Sequence, residues 1–209
     1  MGSVPVHPFV ADTDALIAYA RLDCWDVIQS QLLVTTTNVC YRELRGHTSL
    51  SGAEKYDSEA QARATAAQKV IDALENERST FTRTFCGQSG ISLGEHSLPP
   101  LVQQYPDVVE AILIMDKGDP DRAEGGRAYI RRKLDLDTMG IVLPSLGTPV
   151  GILAREGYLT EEQACAEINT LAQKEGWQSR NGVLLPADHG SERAIHRSRP
   201  SHSVAGNTT

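Results

Sequence analysis

The apolar positions of the chain fall into short runs separated by amphipathic segments. Phe9, Val10 and Ala11 make the first run, followed at once by Asp12 and Asp14 and then by Leu16, Ile17 and Ala20. This pattern predicts a strand over 8–11 and a helix over 14–20. Residues 32–34 make a second apolar stretch. Thr35, Thr36, Thr37 and Asn38 follow it as candidate caps for a helix carrying Val39, Tyr41, Glu43 and Leu44. The polar segment 46–58 reads as a loop. Residues 59–77 are strong helix formers, with Val70, Ile71 and Leu74 on one side. The alternation in FTRTF (81–85) predicts an edge strand.

AILIM (111–115) is the most hydrophobic run and is too short for a helix, so it predicts a central strand ending at Asp116. Residues 122–134 predict a helix bearing Arg127, Arg131, Arg132 and Lys133. IVLPS (141–145) predicts another short strand. Thr148 and Pro149 predict an N-cap with proline at the first helical position, and Gly157 closes that helix. Thr160 and Gln163 form a capping box, with Leu159 and Ala164 placed as a staple. Ala164, Ile168, Leu171 and Ala172 make the apolar stripe of the helix that follows.

Strands therefore alternate with helices. That order predicts an α/β fold, a three-layer α/β/α arrangement around a mostly parallel central sheet. Ligands of such sheets sit at the C-terminal ends of the strands. Asp12 and Asp116 each follow an apolar strand directly and belong at that edge.

Composition narrows the function. The chain has 209 residues, is 40% hydrophobic and carries a formal charge of −7, which excludes coating nucleic acid by bulk charge but leaves room for a local basic groove. No apolar run reaches the length of a bilayer span, and no charged-then-apolar N-terminal segment appears, so the expectation is a cytoplasmic protein with no membrane contact. Cys24, Cys40, Cys86 and Cys165 are scattered without metal-ligand spacing and are expected to be reduced and mostly buried. Residues 187–209 have Ile195 as their largest apolar side chain and predict a disordered tail, leaving 1–186 as one domain.

The candidate chemistry is acidic. Asp12, Asp14, Glu43, Glu95, Asp116, Asp119 and Asp121 are oxygen donors of the kind hard divalent cations take, and such ions serve phosphodiester hydrolysis. The pieces VADTDALIAYARL (10–22), LLVTTTNVCYRELRG (32–46), ISLGEHSL (91–98), AILIMDKGDPDRA (111–123) and LGTPVGILAREGYLTEEQA (146–164) come in the order seen in the PIN domain family. The chain resembles that family's small toxin-like ribonuclease branch and its uncharacterised relatives, from residue 8 to about 177.

The resemblance implies a ribonuclease dependent on Mg²⁺ or Mn²⁺. Asp12, Glu43, Glu95 and Asp116 would be the catalytic and metal-holding acids, with Asp14 and Asp119 as auxiliary metal ligands. Thr13 follows the first acid as the family's Thr or Ser does. Thr13, Arg42, Arg127 and Arg131 are candidate substrate contacts. The partners this implies are RNA, an antitoxin protein and a second copy of the chain. Pro99 and Pro100 depart from the family pattern. They predict a helix that begins late and a Glu95 left in a loop. Two alternatives stay open: a PIN domain with a degenerate site acting as a binding module, and a phosphatase of the haloacid dehalogenase kind using Asp12 of DTD as nucleophile. Trp25 and Trp177 read as core or interface anchors, His96 as a local hydrogen-bonding group, and Gly125 and Gly126 lack the strand a phosphate loop requires.

Overall fold

The computed structural model describes residues 5–86, 93–115, 125–174, 178–180 and 183–185. Four short strands, β1 (Phe9–Ala11), β2 (Val34–Thr37), β3 (Phe81–Thr84) and β4 (Ala111–Leu113), pair in parallel in the order β3-β2-β1-β4. Phe9 stands opposite Val34 on one side and Ala111 on the other. Each parallel pairing needs a crossover, and the chain supplies helices for it: α1 (Thr13–Ala20), α2 (Trp25–Gln31), α3 (Asn38–His47), α4 (Ser58–Glu75) and α5 (Gly94–Gln104). Beyond β4 come α6 (Gly126–Lys133), α7 (Leu136–Met139), α8 (Gly147–Arg155) and α9 (Glu161–Lys174), then a hairpin of β5 (Gln178–Arg180) and β6 (Val183–Leu185).

The side-chain period of two decides which face each residue serves. Ala11, Val34, Leu113 and Met115 join a core with α1, α2, α4, α8 and α9. Val10, Ile112 and Ile114 join a second core with α5 and α6. This is the expected three-layer α/β/α arrangement, with an all-parallel main sheet. Trp25 is buried as expected and meets Phe81 edge-on at 5.5 Å. Cys24, Cys40 and Cys86 are buried, Cys165 is exposed, and all four are free thiols. Among the described residues no helix is long and apolar enough to cross a membrane.

Several elements differ from expectation. Thr35 and Thr36 continue β2, and only Thr37 caps α3, accepting from Cys40 N at 3.1 Å. Helix α2 carries little periodicity and was not expected. A 3-10 turn at Gly52–Tyr56 interrupts the loop. The 111–115 run forms β4 at the end of the four-strand ladder, not at its centre, although both its faces are covered. The 141–145 strand shrinks to one bridge between Ala111 and Val142. Pro144 has no N–H to extend that ladder, and the carbonyls of Leu143 and Pro144 accept instead from Arg127. Helix α8 starts at Gly147 after Leu146, so Thr148 is not its cap, whereas the Thr160–Gln163 capping box is present in both directions.

The largest difference is α5. It begins at Gly94 and runs through Pro99 and Pro100, so Glu95 lies in its first turn and not in a loop. The two prolines remove the donors that the carbonyls of Glu95 and His96 would take. Burial outweighs that cost: Leu98, Leu101 and Val102 are completely buried on this helix. The tail 187–209, Trp177 and the acids Asp116, Asp119 and Asp121 lie outside the described residues.

Candidate metal and nuclease site

The C-terminal ends of β1 and β2 open onto a cleft of about 210 Å³ lined by Asp12, Thr13, Asp14, Glu43, His47, Arg63, Leu93, Gly94 and Glu95. Four of the acids expected from sequence thus share one concavity.

Asp12 arrives there because β1 ends at Ala11 and α1 starts at Thr13. Its carboxylate caps α1, accepting from Ala15 N at 2.7 Å, and also takes the Met115 backbone N–H after β4. Only 6% of Asp12 is exposed. Burial pushes its pKa well above the usual carboxylate range, the negative charges of Asp14 and Glu95 add to the rise, and the two backbone donors oppose it. No side-chain cation among the described residues pairs with Asp12. Asp14, one step into α1, pairs with the guanidinium of Arg63 from α4.

Glu43 comes from α3 and is held by two donors. The Thr13 hydroxyl donates to Oε2, and Gly94 N donates to Oε1 at 2.7 Å. Glu43 therefore caps the start of α5, whose preceding residue, Leu93, offers no side-chain cap. The approach is close enough that a Cβ on Gly94 would fall 2.4 Å from Glu43 Oε2 and 2.9 Å from Cys40 Sγ. The next residue, Glu95, lines the same cleft, and its charge is felt at Asp12. Gly126, first in α6, packs against the same carboxylate: a Cβ there would lie 3.1 Å from Glu95 Oε2.

The expected substrate contacts divide. Thr13 is buried with its hydroxyl committed to Glu43. Arg127 is 8% exposed and donates to the carbonyls of Leu143 and Pro144, so it ties α6 to the 141–145 segment and is not on a solvent-facing phosphate track. Arg42 and Arg131 are exposed, and neither lines the cleft. Arg63 and His47 do line it and were not expected. Arg63 lies in an Ala- and Gln-rich helix whose pattern gives no sign of where its side chain ends.

The donor chemistry suits a hard cation, since Asp14, Glu43 and Glu95 line the same cleft as a buried Asp12 that no side-chain cation among the described residues compensates. Yet among the described residues no three His, Cys, Asp or Glu side chains converge closely enough to hold an ion. Asp14 is engaged by Arg63, Glu43 by Thr13 and Gly94, and Asp116 lies outside the described residues.

The sequence profile of the halobacterial PIN domain matches residues 1–185. No curated protein and no solved structure matches the chain.

Proposed function

The chain belongs to the PIN domain family, and from that premise we propose that it is a divalent-metal-dependent ribonuclease acting in the cytoplasm. The family match supports a nuclease-like domain, in preference to a phosphatase that forms a phospho-aspartate on Asp12. The observation that carries the finer reading is the gathering of Asp12, Asp14, Glu43 and Glu95 around one cleft at the C-terminal edge of a parallel sheet.

In this reading Asp12, Glu43, Glu95 and Asp116 would hold Mg²⁺ or Mn²⁺, with Asp14 and Asp119 as auxiliary ligands. Bound there, the ion would supply Lewis acidity toward a phosphodiester oxygen and an activated water. The protein's own groups do the rest. Asp12 is fixed in place by two backbone N–H groups, so it presents its charge without side-chain rearrangement. Glu43 fixes the start of α5, the helix that carries Glu95. The acidic wall of Asp12, Asp14, Glu43 and Glu95 repels an RNA phosphate, a charge that a bound cation would offset.

The test uses a labelled mixed RNA pool with and without Mn²⁺, Mg²⁺ and EDTA. Cleavage with metal, lost in EDTA and in Asp12→Asn, is the expected result. Equal cleavage in every tube, or none with either ion, defeats the reading. In the second case, an absence of Mn²⁺ heat by calorimetry would mark a degenerate site used for binding.

A further inference from the structure

Arg63 forms the partition between two concavities. It lines the acidic cleft, and with Asp14 it also lines a neighbouring one of about 270 Å³ bordered by Ile17, Arg21, Glu59 and Met115. The two arginines there are held differently. Arg21 is clamped through both terminal nitrogens by Glu59, at 2.5 and 2.8 Å. Arg63 holds Asp14 through Nη2 alone, and the His47 ring lies 3.3 Å from its Nε and 3.2 Å from the same Nη2. Its Nη1 has no partner among the described residues. The pair is partly open to water, with side-chain exposures of 26% for Arg63 and 32% for Asp14.

We propose that Arg63 is the resident counter-ion of the cleft: it neutralises Asp14 before a divalent cation binds, yields to that cation, and then contacts a phosphate of the RNA. The proposal rests on the ribonuclease reading and adds to it a named competitor for the metal and a named substrate contact. The reasoning is electrostatic. Asp14 carries one negative charge. A divalent ion drawn to Asp12, Asp14 and Glu95 places like charge beside the guanidinium, and the singly held pair is the contact that gives way. Helix α4, which packs on α1 and α3, keeps the Arg63 backbone at the cleft wall. Nη1, with the Nη2 donor freed from Asp14, offers two N–H groups that match a phosphate's oxygens while His47 keeps the guanidinium at the cleft. The Arg63 pairing also accounts for part of the failure of three acids to converge, because one of them is turned to an arginine.

The experiment measures Mn²⁺ binding calorimetrically, without RNA, for wild type, Arg63→Gln and Arg63→Lys, and then KM and kcat on RNA. Arg63→Gln is expected to bind Mn²⁺ about fivefold more tightly, the scale of one partly exposed ion pair removed. Its KM for RNA should rise roughly tenfold with kcat within about twofold, the loss of one charge-assisted contact. Arg63→Lys keeps the charge, so its Mn²⁺ affinity should stay near wild type while KM still rises. Equal or weaker Mn²⁺ binding by Arg63→Gln, in a wild type that does bind, overturns the proposal and leaves the ribonuclease reading intact. Failure of wild type to bind Mn²⁺ overturns both. If Arg63→Gln does not fold, Arg63→Lys decides, and an unchanged KM in that variant overturns the phosphate contact.

Discussion

On one side of the cleft Asp12 ends β1 with a buried carboxylate that two backbone N–H groups hold and no side-chain cation among the described residues neutralises. On the other side Glu43 gives both oxygens to donors of its own chain, the Thr13 hydroxyl and Gly94 N. The two residues are the same chemical group in the same concavity. At Asp12 the fold stores unfavourable charge, which the proposed cation would relieve. At Glu43 the fold uses the charge as a joint between α3 and α5, at the residue that precedes Glu95. Metal should therefore be felt most strongly at Asp12, and loss of fold most strongly at the Glu43 joint.

The largest expected effect breaks the Asp12 side. Wild type should gain roughly 2.7 kcal/mol at a Mn²⁺ concentration ~100 times the dissociation constant, and Asp12→Asn should gain little. In EDTA the same variant should be as stable as wild type or more so, because asparagine caps a helix as well as aspartate does and brings no charge. The pH dependence follows from the raised pKa of Asp12. Its folded-state value lies above the unfolded value, so its contribution is fully present below the unfolded pKa and is lost as pH rises through the folded pKa. Melting curves in EDTA should therefore favour Asp12→Asn increasingly as pH climbs from about 4. A variant strongly destabilised in EDTA, and still answering Mn²⁺ like wild type, would make Asp12 only a helix cap.

The second effect breaks the joint. A Cβ at position 94 would meet the Glu43 carboxylate and the buried Cys40 sulfur inside contact distance. Gly94→Ala should cost about 2 kcal/mol, the scale of overpacking at a tight site, with or without Mn²⁺. An unchanged denaturation midpoint would show that α3 and α5 separate freely.

The same contrast explains what the sequence could reveal. Asp12 was legible because its signal is local: three apolar residues, then an acid, then a helical pattern, and a parallel sheet puts that acid at the open edge. The helices α4 and α9 were legible for the same reason, through composition and a capping box. Glu43 was legible as a position but not as a joint, since its partners lie 30 and 51 residues away. The helical placement of Glu95 is hidden in the sequence because Pro99 and Pro100 are strong local signals against a helix, and the burial of Leu98, Leu101 and Val102 that overrides them is tertiary. Arg127 and Arg63 both lie where local pattern gives no hint. A basic cluster on 122–134 drew attention to Arg127, whose side chain turns inward to two carbonyls, while Arg63 enters the cleft from a helix with no visible bias toward it.

The smallest expected effect sharpens the comparison, and it is Glu43→Gln. Glutamine keeps one oxygen to accept from Gly94 N, and its amide can donate to the Thr13 oxygen, which reverses the direction of that bond without removing it. The joint therefore survives with one charge-assisted contact replaced by neutral ones, a cost of about 1 kcal/mol. The remaining oxygen is still a donor for a hard cation, so the Mn²⁺ response should shrink less than in Asp12→Asn. Two melting curves, with EDTA and with saturating Mn²⁺, separate the contributions. If Glu43→Gln abolishes the Mn²⁺ response as fully as Asp12→Asn while its EDTA curve overlays wild type, Glu43 acts as a ligand of equal weight, and the division between a charged end and a structural joint does not hold.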